Sequence, residues 1–270
     1  MRISEINNFL NETFNLKRSL SGKDNFKTLA IIKEKIPILI KSFQSGKKVF
    51  DWKIPKIWTL NDAYIKDSND IRIVDVKKNF LHVASHSIKV NKKISWPLLK
   101  KNIFYSRHTS GIPYRTCYYN NNWAFCVSKK QYQILKKKQK LKVFIDSNKK
   151  HGKMHFGEIF ISGESKKEIL LSTYICHPNM ANDNLSGIVT LTGIVQYLLK
   201  RKRKFSYRIL FIPETIGSIA YLKKNQKQVI KNTHFAIVVC NCGGRGKYSF
   251  KKNFDNENEK NFLIKENFKN

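Results

Sequence analysis

No apolar run in this chain approaches the ~20 residues that a bilayer-spanning helix requires, and the opening MRISEINNFLNETF lacks the basic-then-apolar layout of a secretory leader. The expectation is a cytoplasmic protein with no membrane partner. Cysteine is sparse. Cys117, Cys126, Cys176, Cys240 and Cys242 are odd in number and show no paired metal spacing, which argues against a disulfide scaffold and fits reduced thiols. Acids are scarce too: 19 Asp plus Glu stand against 52 Lys plus Arg, a formal net charge of +33. Such a balance ordinarily points to nucleic acid or another polyanion. The lysines, however, are scattered through every segment, with local clusters at 136–142 and 200–204, and no nucleic-acid motif accompanies them. Nucleic acid is therefore not the expected partner, because an AT-rich coding bias yields the same excess of Lys, Asn and Ile. No internal repeat is present.

What is present suffices for a core: 270 residues that are 41% apolar and 12% aromatic. NFKTLAIIKEKIPILIKSF places Leu29, Ile32, Ile36, Ile40 and Phe43 at helical spacings, with Pro37 expected to kink or divide the helix. From Val49 to Ile161 the pattern changes to short alternating runs between turn residues, among them KVFDWKIP, IRIVDV, FLHVAS, NNNWAFCVS, KLKVFIDS and MHFGEIFIS, which read as a β-rich module. The remainder alternates strand and helix: EILLSTYIC, a helix over LSGIVTLTGIVQYLLKRKRK, YRILFIPE, a helix over GSIAYLKKNQKQVIK, then FAIVVCNC. Strands separated by helices in this way form βαβ units and a parallel sheet.

In an open parallel sheet, ligands bind beyond the carboxyl ends of the strands. The first strand ends at Cys176-His177 and runs on to Asp183, and the second ends at Pro213-Glu214. His177, Asp183 and Glu214 are thus expected on one rim, where an imidazole and two carboxylates suit zinc. Each also has a plainer role: Asp183 as a helix cap, Glu214 as a surface acid, His177 as a turn residue. His82 and His86, at even spacing on a strand-like run, and His151 and His155, flanking an expected hairpin, read as structural. Trp52, Trp58, Trp96 and Trp123 read chiefly as packing, with a carbohydrate or peptide platform as the lesser alternative.

LLSTYICHP, MANDNLSG and RILFIPETIGSIAYL, with VFDWKIPKIW, DAYIKD and LHVASHSI upstream, resemble the aminopeptidase-like proteins associated with bacterial polysaccharide biosynthesis, relatives of the zinc aminopeptidases. The resemblance implies a phosphorylase/hydrolase-like three-layer α/β core with a mainly parallel central sheet, interrupted by a small β-rich domain. The expected division is a helical part over 1–48, the inserted domain over 49–161, the core over 162–252 and a polar tail over 253–270. The resemblance also implies zinc, one or two ions, with His177 and Asp183 as ligands, Asp183 bridging. Glu214 would be a ligand or the general base, since a single glutamate stands where those enzymes have two. The implied substrate is a small peptide or amide, and self-association is left open. Two implied ligands have no counterpart: Cys242-Gly243-Gly244 stands where an aspartate is expected, and the match fades after YSFKK before any further histidine. The expectation is thus either an active hydrolase or a C-terminally truncated, inactive homologue. The alternative from another class is a non-catalytic module whose β domain or basic surface docks a polyanionic glycan or nucleic acid.

Overall fold

The computed structural model describes residues 1–246 together with Ser249; the tail expected over 253–270 lies outside the described residues. The core elements are, in chain order, α1 (Ile3–Phe14), α2 (Asp24–Lys35), β1 (Leu39–Gln44), β2 (Lys153–Ile161), β3 (Ser165–Tyr174), α3 (Gly187–Leu199), β4 (Phe205–Ile212), α4 (Ile216–Asn232) and β5 (Thr233–Val238). They build one five-stranded sheet in the order β1-β2-β4-β3-β5. β4, β3 and β5 run parallel, as the βαβ pattern requires, whereas β1 and β2 are antiparallel additions, so the sheet is mixed.

Strand alternation sorts the core into two layers. Along β4, Ile209 and Phe211 face one side with Leu29, Ile32, Ile188 and Leu191 of α2 and α3. Leu210 and Ile212 face the other with Phe156 and with Ile216, Ala220 and Tyr221 of α4. The result is a helix–sheet–helix arrangement. The basic end of α3 acts as a cap: Arg203 Nη1 donates to the Leu198 and Arg201 carbonyls, and its Nε donates to Ser162 O at 3.0 Å.

Four sequence expectations need correction. The helical pattern read through Phe43 ends at Lys35, and PILIKSFQ becomes β1. Pro37 removes an amide donor, and alternation then places Ile38 and Ile40 on the α2 face of the sheet and Phe43 on the other. MHFGEIFIS, read as part of the β-rich module, is β2 of the core sheet, paired with β1 and β4. The hairpin expected at His151 is instead the crossover between two sheets. The second sheet is four-stranded and antiparallel, in the order Arg72–Asp75, Ile57–Lys66, Lys140–Lys150, Val90–Ser95. It has its own core around Trp58, Ile65, Phe125 and Val143. FLHVAS, expected as strand, contains a short 3-10 turn at Phe80–His82.

An ionic network lies within the α4 face of the core sheet. Arg208 of β4 donates to Glu168 of β3 through Nε at 2.6 Å and Nη2 at 3.0 Å, and to Glu158 of β2 through Nη1 at 2.7 Å. Tyr221 of α4 and Lys41 of β1 also donate to Glu158. Burial raises the pKa of both glutamates, but the donors prevail and hold each below its ordinary value. Folded-state pKa values below those of the unfolded chain mean stability that is present above the unfolded pKa, ~4.5, and lost as pH falls through the depressed folded values. Urea denaturation should therefore show stability declining on acidification below about pH 5. At neutral pH, Arg208→Met, which strands two buried carboxylates, should cost about 3–5 kcal/mol.

Candidate metal centre

β3 carries the chain to the rim of the sheet, and the four residues after it, Ile175 to Pro178, are all buried. Cys176 is fully buried, and its thiol, pushed up to about 12 by burial, stays protonated and accepts the Glu214 amide at 3.3 Å. His177 follows, 5% exposed. The next residues turn back into α3, whose first glycine is set by close approach: a Cβ at Gly187 would lie 2.5 Å from both Asn184 Oδ1 and Val239 O. Buried Asn184 ties this turn to the strand end, donating to Thr173 Oγ1 at 2.6 Å and Tyr174 O at 3.1 Å. β4 delivers Glu214 from the neighbouring strand, just before Thr215, a β-branched residue at φ +56°. That backbone strain is the kind found where a chain is held for function.

The structure brings the three expected residues together. His177 Nε2 lies 3.3 Å from Glu214 Oε2, and its Nδ1 lies 3.8 Å from Asp183 Oδ1. Nδ1 is buried with no hydrogen-bond partner. The hydrogen bond and charge of His177 hold the half-exposed Glu214 carboxyl below its usual range, so it is ionised at neutral pH. Among the described residues, Cys176, His177 and Glu214 form a group whose ligand atoms all lie within 4.8 Å of one another. At the end of β5 the Cys242 amide donates to Ser186 Oγ at 2.8 Å and the Gly243 amide to Asn182 Oδ1 at 2.8 Å, so this strand end braces the turn and contributes no carboxylate.

Sequence reasoning missed three further participants. The Tyr174 hydroxyl donates to Asp183 Oδ1, and its ring stands edge-on to His177 at 4.8 Å. Tyr114, from the β-rich module, packs edge-on against the imidazole at 4.4 Å, and burial pushes its phenol well up. Arg18, 1% exposed, donates from Nε to His177 O at 2.9 Å and from Nη1 to Thr13 O, while its Nη2 has no partner. Burial lowers this guanidinium to about 10, which leaves it charged. An arginine amid the apolar and small residues of a lysine-biased segment is the signal that could have marked it. His82 and His86 serve the module's interior: His82 Nδ1 lies 2.8 Å from Cys126 O, and His86 lies between Ser85 and Ser21.

A mixed α/β sheet with polar groups gathered at its parallel strand ends is the aminopeptidase-like architecture. Residues 7–269 match the family described as a domain of unknown function, DUF4910, and the chain belongs to that family. It is 42% identical over 253 residues to a Clostridium acetobutylicum protein provisionally named a polysaccharide biosynthesis protein with an aminopeptidase-like domain; the match covers 92% of this chain and 57% of that protein. The chain thus spans little more than half the length of this relative. A crystal structure of a provisionally assigned peptidase from the same organism superposes with a TM-score of 0.83 at 42% identity, covering 90% of this chain and 57% of the other. A zinc aminopeptidase from Bacillus subtilis shares the fold, with a TM-score of 0.58 at 11% identity over 87% of this chain and 68% of that one. No helix among the described residues is long and apolar enough to cross a membrane.

Arg18 holds the carbonyl of His177, so its loss should be felt directly at this site. Arg18→Met leaves the His177 carbonyl without its donor and the Thr13 carbonyl with backbone donors alone, and should lower unfolding stability by about 2–4 kcal/mol. Arg18→Lys, with a point charge in place of a fork, should recover less than half of that loss in the same urea titration.

Proposed function

We infer that this chain is the aminopeptidase-like part of a metal-dependent hydrolase of peptide or amide bonds, with a divalent-ion site at His177 and Asp183 and with Glu214 as proton acceptor. The observation that carries this reading is the unpartnered, buried Nδ1 of His177 lying beside a carboxylate. An imidazole nitrogen left without a hydrogen bond in such a place has the chemistry of a ligand lacking its partner. The other ring nitrogen faces Glu214 at 3.3 Å, which matches the way a carboxylate orients a metal-binding histidine through its second N–H. One imidazole nitrogen is thus left for the ion and one for orientation.

The donor set of imidazole nitrogen and carboxylate oxygen fits zinc, and it fits one ion better than two. Oδ1 of Asp183 already accepts the Tyr174 hydroxyl, and the end of β5 has Cys242 and Gly243 where a second ion would need an acid. Zinc bound here would supply Lewis acidity, polarising a carbonyl oxygen and acidifying water. The chain's own residues do the rest. Tyr174 fixes the Asp183 carboxylate by donating to it, and Tyr114 and Tyr174 hold the imidazole between two ring edges. Glu214, ionised and half-exposed, stands at the mouth where it can take a proton from water and return it to a leaving amine. The link to polysaccharide biosynthesis comes from the name of the Clostridium relative, and on that ground the substrate is an amide-bearing precursor of a cell-surface glycan.

Zinc at a hundredfold excess over its Kd should raise the melting temperature of the metal-free protein by about 5–10 °C. His177→Ala should abolish that rise. Glu214→Gln should keep most of it while losing hydrolysis of an aminoacyl anilide, by 10²-fold or more. A zinc response that survives His177→Ala, or none in the unaltered chain, removes the site.

A further inference from the structure

Two clefts lie along the seam between the core sheet and the β-rich module, and both are lined by His151, the residue at which the chain crosses between the sheets. The first, about 670 Å³, is lined by Trp52, Tyr118 and Tyr119 together with Asp51, Lys53 and Lys56. Its rings meet at corners: Trp52 and Tyr119 at 5.4 Å and 69°, Tyr118 and Tyr119 at 4.9 Å and 60°. Tyr118 is fixed by its hydroxyl, which donates to Lys53 O at 2.7 Å, whereas Tyr119 is 58% exposed. The second cleft, about 580 Å³, has Lys23, Lys150 and Lys153 on its walls with Asn61, Asn148 and His155, and none of its lining residues is a carboxylate. The ring of His151 is steadied by Ser45 Oγ, 3.3 Å from Nδ1.

We propose that these clefts form one groove that binds an acidic saccharide, with sugar rings packed on Trp52 and Tyr119 and carboxylate or phosphate substituents held by Lys23, Lys150 and Lys153. The division of labour is chemical. A pyranose presents a face of C–H groups that packs on an aromatic ring, and a rim of hydroxyls that needs mixed donors and acceptors such as Asp51, Lys53 and the asparagines. Its anionic substituents need cations, and the second cleft offers three lysines with no carboxylate among its lining residues. The ring geometry disfavours a nucleic acid, because flat bases call for open aromatic faces and these rings meet edge to face. The groove uses none of the residues of the metal centre, although the short stretch from Tyr114 to Tyr119 touches His177 at one end and lines the groove at the other. Both the basic lining and the aromatic corner are thereby given one ligand.

Calorimetric titration of the whole chain with hexagalacturonate tests this, with maltohexaose as the neutral control and linear inorganic polyphosphate as the anion without sugar rings. Hexagalacturonate should bind at least tenfold tighter than maltohexaose. Tyr119→Ala, at an exposed position, should weaken it by roughly fivefold and leave polyphosphate unaffected. Lys150→Glu combined with Lys153→Glu should weaken it by tenfold or more and flatten its salt dependence. Polyphosphate binding as tight as hexagalacturonate, an unchanged affinity in Tyr119→Ala, or no hexagalacturonate binding would each overturn the proposal. His177→Ala, which removes the metal centre, should leave this binding unchanged, so the two readings fail separately.

Discussion

The placement of Glu214 against His177 depends on the register of β4 between its two neighbours. Strand register repeats every two residues, and a two-residue slip of β4 keeps its apolar faces correct while displacing its end by ~7 Å. Hydrophobic patterning alone tolerates that slip. Arg208 does not, since its fork must meet Glu168 on one side and Glu158 on the other, with Lys41 and Tyr221 completing the shell. Six residues further along the same strand direction stands Glu214. Against packed apolar residues, a buried ionic group of this kind adds little net stability, but it penalises every pairing in which a charge is left alone. The network trades stability for a fixed position of the strand end.

At that strand end, one imidazole is asked to face two carboxylates at once. The two faces are not equivalent: Nε2 lies 3.3 Å from Glu214 Oε2, whereas Nδ1 lies 3.8 Å from Asp183 Oδ1. Glu214, held ionised, faces Nε2 within hydrogen-bonding distance, and Nδ1 lies buried beside Asp183 without a partner. A buried polar atom without a partner is costly to keep, and the surroundings prevent its escape: Arg18 holds the backbone of His177 and two tyrosine rings flank its own. The chain accepts a local penalty at this point.

The βαβ half of the fold was legible because its apolar strands and amphipathic helices differ in period, and because polar residues interrupt them at each strand's carboxyl end. His177, Asp183 and Glu214 could be found for that same reason. The antiparallel half was not. MHFGEIFIS alternates identically whether it joins one sheet or the other, and Ile36, Ile40 and Phe43 satisfy a helical stripe as readily as the two faces of β1. Pro37 was the local cue that decided between them. Arg18, Tyr114 and the Glu158–Arg208–Glu168 network were out of reach because each joins residues 40 to 159 positions apart, and pattern reading carries no information on which distant side chains meet. What the sequence does carry is a choice of residue: where lysine is the default cation, arginine at 18, 203 and 208 stands where a planar fork bonds more than one oxygen.

The β-rich module is more than a passenger on this core. Through Tyr114 it supplies one of the two ring edges against His177, and the Tyr114 phenol is itself held by burial. Four residues on, Tyr118 reaches back to Lys53, and Tyr118 and Tyr119 form the aromatic corner of the seam. One short stretch thus lies against His177 at one end and lines the seam cleft at the other, within the ~18 Å that five extended residues can span.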